Sequence, residues 1–172
     1  MKTLIIFGTV EGQTGKIARF AAEVLERLGH EVELIDADDP AEISFAGVDA
    51  AILAASVHQR RHPRKFEALL TAQAADLAKV KTLLLSVSLN AAFPEGHEEA
   101  REYVTDMEMR THFTPTDDML VGGALRAAHY DYFALQVIQH VVMRGRPFDP
   151  AETEHEFTDW DALTRKLESF FV

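Results

Sequence analysis

The 172-residue sequence has no cysteine. That excludes a disulfide scaffold, a thiolate zinc site, an iron–sulfur cluster and a cysteine nucleophile, and it fits a reducing compartment. Basic residues are scarce. Seventeen Lys+Arg stand against 28 Asp+Glu, a formal net charge of −11. Affinity for nucleic acid and for anionic lipid comes largely from Lys and Arg, so no nucleic-acid partner is expected. Long apolar runs are also missing. No stretch reaches the roughly 20 residues that span a bilayer. The nearest is residues 132–143, uncharged but interrupted by Gln136, Gln139 and His140. Residues 3–7 are too short for the apolar region of a secretory signal, so the expected location is the cytoplasm.

What is present is ordinary for a globular domain: 47% hydrophobic and 26% charged residues. A chain of this size buries roughly 70% of its unfolded surface. One domain, residues 1–172, is expected, with no repeat or linker. Residues 3–7 (TLIIF), 50–55 (AAILAA) and 82–87 (TLLLSV) are apolar runs without alternation. Such runs suit strands buried on both faces. Residues 31–36 (EVELID) alternate, and residues 119–123 (MLVGG) make a fifth strand. Helical spacing covers residues 14–28, closed by Gly29, and a second helix opens at Pro63. Further helices are predicted over residues 98–109, 131–144 and 159–171, with a short one from Pro40 through Phe45. An acidic loop, residues 149–156, joins the last two. Strands alternating with helices predict an α/β fold with a parallel sheet covered on both faces.

The chemistry begins between the first strand and the first helix, at Gly8-Thr9-Val10-Glu11-Gly12-Gln13-Thr14-Gly15. No Gly-Lys-Ser/Thr follows, so this is not a P-loop, nor is it a Gly-x-Gly-x-x-Gly turn. A strand-to-helix turn presents unpaired backbone N–H groups at the positive end of a helix dipole. Two threonines add hydroxyl donors. Such a nest can hold a phosphate without a cation. On spacing alone, a tight turn with Thr14 as an ordinary helix cap is the competing reading.

Residues 5–14 (IIFGTVEGQT), with Ala18 one turn on, resemble the flavodoxin FMN-phosphate signature, departing at Ala21. Three stretches extend the likeness over nearly the whole chain: the start with its EGQT, the GALR run at residues 123–126, and FTDW at residues 157–160. Together they resemble the menaquinone-dependent protoporphyrinogen IX dehydrogenase branch of the flavodoxin superfamily. The resemblance implies a flavodoxin-like sheet of strand order 2-1-3-4-5, an extra helix after strand five, and FMN as cofactor. Carried over residue by residue, it implies that Thr9, Val10, Glu11, Gly12, Gln13 and Thr14 hold the phosphate. The ring would be held by Ser56, Val57, His58 and Gln59 after strand three, and by Ser88, Leu89, Asn90 and Ala91 after strand four. Gln59 stands where the branch has Tyr, and Arg60 where it has Gly. The loop after strand four is basic in the branch; here it carries Glu95, Glu98 and Glu99. Acidic residues there argue against contact with an anionic membrane.

Arg60, Arg61, Arg64 and Lys65 form a cationic cluster in an acidic chain. One reading is recognition of carboxylates on a substrate or a redox partner; the other is a solvated helix start. Arg126, at the end of strand five, could join the same face or simply cap the strand. Residues 132–143 are apolar nearly all round and must be covered, by the core, by a homodimer interface or by lipid. His58 and His62 have no third ligand in view, and Ser56 is in no nucleophile elbow. The expected function is an FMN-dependent oxidoreductase of porphyrin biosynthesis, acting on a small redox substrate with a quinone acceptor. The alternatives are a soluble FMN electron carrier and a flavodoxin-like interaction module without flavin.

Overall fold

The computed structural model describes residues 1–39, 41–125 and 155–172. Five strands pair in parallel in the order β2-β1-β3-β4-β5. They are β1 (Lys2–Gly8), β2 (Glu31–Asp36), β3 (Ala50–Ser56), β4 (Lys81–Ser88) and β5 (Asp117–Gly122). Leu4, Ile5 and Ile6 are all fully buried, as expected of an unalternating run in a sheet covered twice.

The pleat divides those residues between two layers. Ile5, Ile52, Ala54, Leu83 and Leu85 pack with Ile17, Ala21 and Leu25 of α1 (Gln13–Arg27) and with Leu163 and Leu167 of α4 (Trp160–Phe170). Leu4, Ile6, Leu53 and Leu84 pack with Phe66 and Leu70 of α2 (Arg64–Leu77) and with Val104 and Met107 of α3 (His97–Thr111). Each fully buried Leu or Ile contributes about 1.5–3 kcal/mol. At Gly8 the strand meets α2 so closely that an added Cβ would lie 2.9 Å from Phe66 Cβ. The Asp159 carboxylate caps α4 by accepting the Ala162 N–H at 3.0 Å.

The expected five-stranded order and helices on both faces are borne out, with ends that shift by one or two residues. One expectation is corrected. Residues 41–45 form no helix; six residues cannot repay helix nucleation, and Ile43 and Phe45 instead rest on the α2–α3 layer as irregular chain. A two-residue antiparallel ladder was not expected: β6 (Ala124–Leu125) pairs with β7 (His155–Glu156). Pro40, Arg126, the helix expected over residues 131–144 and most of the acidic loop lie outside the described residues.

Candidate functional site

The strands' C-terminal ends open onto a cleft of about 530 Å³, part of it open to solvent. Its three walls come from the loops after β1, β3 and β4, closed by the chain that follows β5.

The first wall is the turn into α1. Gly12 is the N-cap residue at φ 93°, a left-handed conformation that suits glycine. No side chain caps the helix, and no acidic residue stands in its first turn. The N–H groups of Gln13, Thr14 and Gly15 therefore have no acceptor within the helix. Thr9 Oγ1 accepts the Gly12 N–H at 2.8 Å, which leaves its own proton to donate. Thr14 is fully buried, yet its hydroxyl has no partner; the same holds for Gln13 Oε1 and Ser56 Oγ. Three buried, unsatisfied polar atoms on one cleft call for an explanation.

A short C-terminal segment braces this turn. Gln13 Nε2 donates to Glu156 Oε2 at 3.2 Å and to Thr158 Oγ1 at 3.1 Å. Thr158 donates onward to the Gly122 carbonyl at 2.6 Å. Glu156 also takes Lys16 Nζ at 2.5 Å and Trp160 Nε1 at 2.7 Å. Burial works against the ionised Glu156, but hydrogen bonds from Lys16, Trp160 and Gln13 outweigh it and hold the carboxyl below its ordinary pKa. Lys16 thus spends its charge on Glu156. Among the described residues lining the cleft there is no Lys or Arg.

The second wall follows β3. The Val57 N–H donates to the Val87 carbonyl at 2.8 Å. His58 and Arg61 then exchange backbone hydrogen bonds at 2.9 and 3.2 Å around Gln59 and Arg60. Those two residues sit at φ 51° and 65°, the signature of a type I′ turn, which normally takes Asn-Gly. Directly after it, His62 is buried with Nε2 2.9 Å from Ser86 Oγ on β4. Burial pushes its pKa down to about 4, so the imidazole is neutral.

Of the residues expected in the site, the cleft brings together Thr9, Val10, Glu11, Gln13 and Thr14 with Ser56, Val57 and His58 and with Ser88 and Leu89. Gly12, Gln59, Asn90 and Ala91 do not line it. Asn90 instead donates to Glu99 at 3.1 Å and to the Tyr103 hydroxyl at 2.9 Å. Two residues of the cationic cluster also turn to this chain's own carboxylates. Arg60 pairs with Glu99 and Glu102 on α3, and Arg61 with the buried Glu67 at 3.0 Å. Arg64 and Lys65 open α2. Val87, Gly123, Ala124 and Leu125 complete the lining and were missed. The GALR run was the signal for three of them, but it drew attention only to Arg126.

This sheet order, with a helix N-terminus left open at the strands' C-terminal ends, is the flavodoxin-like architecture of the doubly wound α/β class. The chain belongs to the flavodoxin domain family, whose profile matches residues 4–150. It is similar to the Escherichia coli (strain K12) protein named protoporphyrinogen IX dehydrogenase (quinone), 26% identical over 164 residues. The match covers 95% of this chain and 91% of that protein. Solved structures agree on the fold. A short-chain flavodoxin associated with a non-canonical PDU bacterial microcompartment superposes with TM-score 0.61 at 11% identity, covering 99% of this chain and 97% of its own. Oxidised flavodoxin 1 from Bacillus cereus gives 0.58 at 17% identity with the same coverage. Among the described residues, no helix is long and apolar enough to cross a membrane.

Proposed function

We propose that the cleft binds FMN and that the protein is an FMN-dependent oxidoreductase, with a porphyrinogen-type substrate and a quinone acceptor like those its Escherichia coli relative is named for. The observation that carries this reading is the phosphate end. A fully buried Thr14 hydroxyl without a partner stands at an uncapped helix N-terminus. A phosphate would take that hydroxyl, the Thr9 proton and the free N–H groups of residues 13–15. Neutral donors and the helix dipole suffice for one such group. Val57, His58, Leu89 and Leu125 would then shelter the ring, and Ser56 Oγ offers a polar atom on that side. When bound, FMN supplies the hydride or electron acceptor; the protein holds it and shields it from water.

The test is direct. Purified protein should be yellow, and denaturation should release FMN. A colourless protein that takes up no FMN would favour the interaction-module reading. Turnover of protoporphyrinogen with a quinone acceptor would then separate an enzyme from a soluble FMN electron carrier.

A further inference from the structure

We infer that Glu67, a buried acid on the far side of the cleft wall, is a positioning residue that fixes the turn carrying His58. This rests on the FMN reading for its functional consequence, though not for its structural one.

The turn is closed by two backbone hydrogen bonds between His58 and Arg61, but its two central residues are strained. Gln59 and Arg60 both hold left-handed backbone angles, φ 51° and 65°, without glycine at either place. Side-chain crowding disfavours both, so contacts from outside add to the two backbone bonds in holding the His58–Arg61 turn. It has two anchors. Arg60 reaches Glu99 and Glu102 and lies 5.7 Å from the centre of the Tyr103 ring. Its side chain is 64% exposed, and water screens such a pair strongly. Arg61 reaches inward instead. Its Nε and one terminal nitrogen stand 3.1 and 3.0 Å from Glu67 Oε2. Glu67 Oε1 takes the guanidinium of Arg110 on α3 at 3.0 and 2.6 Å. Glu67 is only 5% exposed, so this anchor is screened least and its loss costs most.

Oε1 accepts from Arg110 alone, while Oε2 accepts from Arg61 and, at 3.3 Å, from Arg110 Nε as well. Neutralising the carboxylate leaves two guanidinium groups on either side of an amide whose own N–H₂ donates toward one of them. Arg110 is part of a fifteen-residue helix. Arg61 belongs to a four-residue turn, so Arg61 yields and the turn moves with it. His58, the residue that begins the turn, lines the cleft; Val57 before it is pinned to β4 and stays. Glu67 thus shapes the ring side of the cleft without touching it.

The experiment measures amide hydrogen exchange in the apo protein, then FMN affinity by titration, in Glu67→Gln, Arg61→Gln and Arg60→Gln. Arg61→Gln cuts the same anchor from its exposed end and keeps the Glu67–Arg110 pair, so it serves if Glu67→Gln does not fold. The His58 and Arg61 amides should exchange at least tenfold faster in Glu67→Gln and Arg61→Gln, with Ala124 and Leu125 unchanged. Arg60→Gln should change them less than threefold. The FMN dissociation constant should rise at least tenfold in the first two variants. Unchanged exchange at the turn overturns the anchor, as does an equal effect from Arg60→Gln. Faster exchange with unchanged FMN affinity overturns the positioning role. A parent protein that takes no FMN overturns the functional reading, and the exchange data then judge the anchor by itself.

Discussion

Acid should unfold this protein through His62. The imidazole is 1% exposed, Nε2 lies 2.9 Å from Ser86 Oγ, and Nδ1 has no partner. Burial lowers its pKa to about 4; Glu67 pulls the value back up, and Arg110 pushes it further down. In the unfolded chain it returns to about 6.5. Between those values the unfolded state binds a proton that the folded state refuses. The stabilisation is therefore complete above the unfolded value and is lost as pH falls toward the folded one. The whole gap is worth roughly 3 kcal/mol, of which about 2.5 kcal/mol disappears between about pH 7.5 and pH 4.5. Urea unfolding at those two pH values, in the parent and in His62→Gln, measures it. Glutamine keeps a polar atom for Ser86 and cannot titrate in this range. Carboxylates that protonate over the interval act alike in both proteins, so the difference between the two losses isolates the imidazole. The parent should lose about 2.5 kcal/mol more than the variant. Equal losses would refute a buried neutral histidine.

Thr14→Val deletes one hydroxyl donor and leaves the backbone donors in place. FMN affinity by calorimetry should fall about tenfold, near 1.4 kcal/mol, and an unchanged affinity would remove Thr14 from the site. FMN at a hundredfold excess over its dissociation constant should stabilise the fold by about 2.7 kcal/mol in thermal melts. Riboflavin, without the phosphate, should do much less; equal stabilisation by both would place the binding energy away from the turn. The protein should not sediment with anionic vesicles at physiological salt. Arg60 is already matched by Glu99 and Glu102, and Glu98 adds repulsion at the start of α3. Salt-sensitive vesicle binding that disappears in an Arg60, Arg61 and Arg64 to Gln variant would contradict that and bring a membrane-docked role forward.

The sheet was legible because its strands announce themselves. A central parallel strand is apolar on both faces, and TLIIF, AAILAA and TLLLSV are short unalternating apolar runs of that kind. The turn proposed to hold phosphate stood out for a different reason: Thr9 through Thr14 are contiguous, so one short segment carries the whole arrangement. The rest of the cleft is assembled from three segments, after β3, β4 and β5. Gly123, Ala124 and Leu125 reach it through a two-residue ladder, too short to show any periodicity. Asn90 sits at the right strand end, but its amide is drawn to Glu99 and Tyr103, a competition that strand position does not encode.

Charge was the least legible feature, and the reason bears on what the cleft selects. A run of arginines reads in sequence as a surface offered to an anion. In the fold, Arg61 is claimed by a glutamate six residues on, and Arg110 reaches the same glutamate from 43 residues away. Lys16 sits beside the phosphate turn and is claimed by Glu156, 140 residues on. Each cation near the cleft that has a described ion pair is thus neutralised by this chain's own carboxylates. An anionic group entering the cleft meets dipoles and hydroxyls whose positions are fixed by backbone geometry. Free charges attract any anion from a distance and screen readily with salt. Oriented N–H and O–H groups act only at hydrogen-bond range and reward one shape. On the proposed reading, discrimination at this site would rest on the fit of a phosphate to the Thr9–Thr14 turn, in a protein whose net charge of −11 otherwise repels anions.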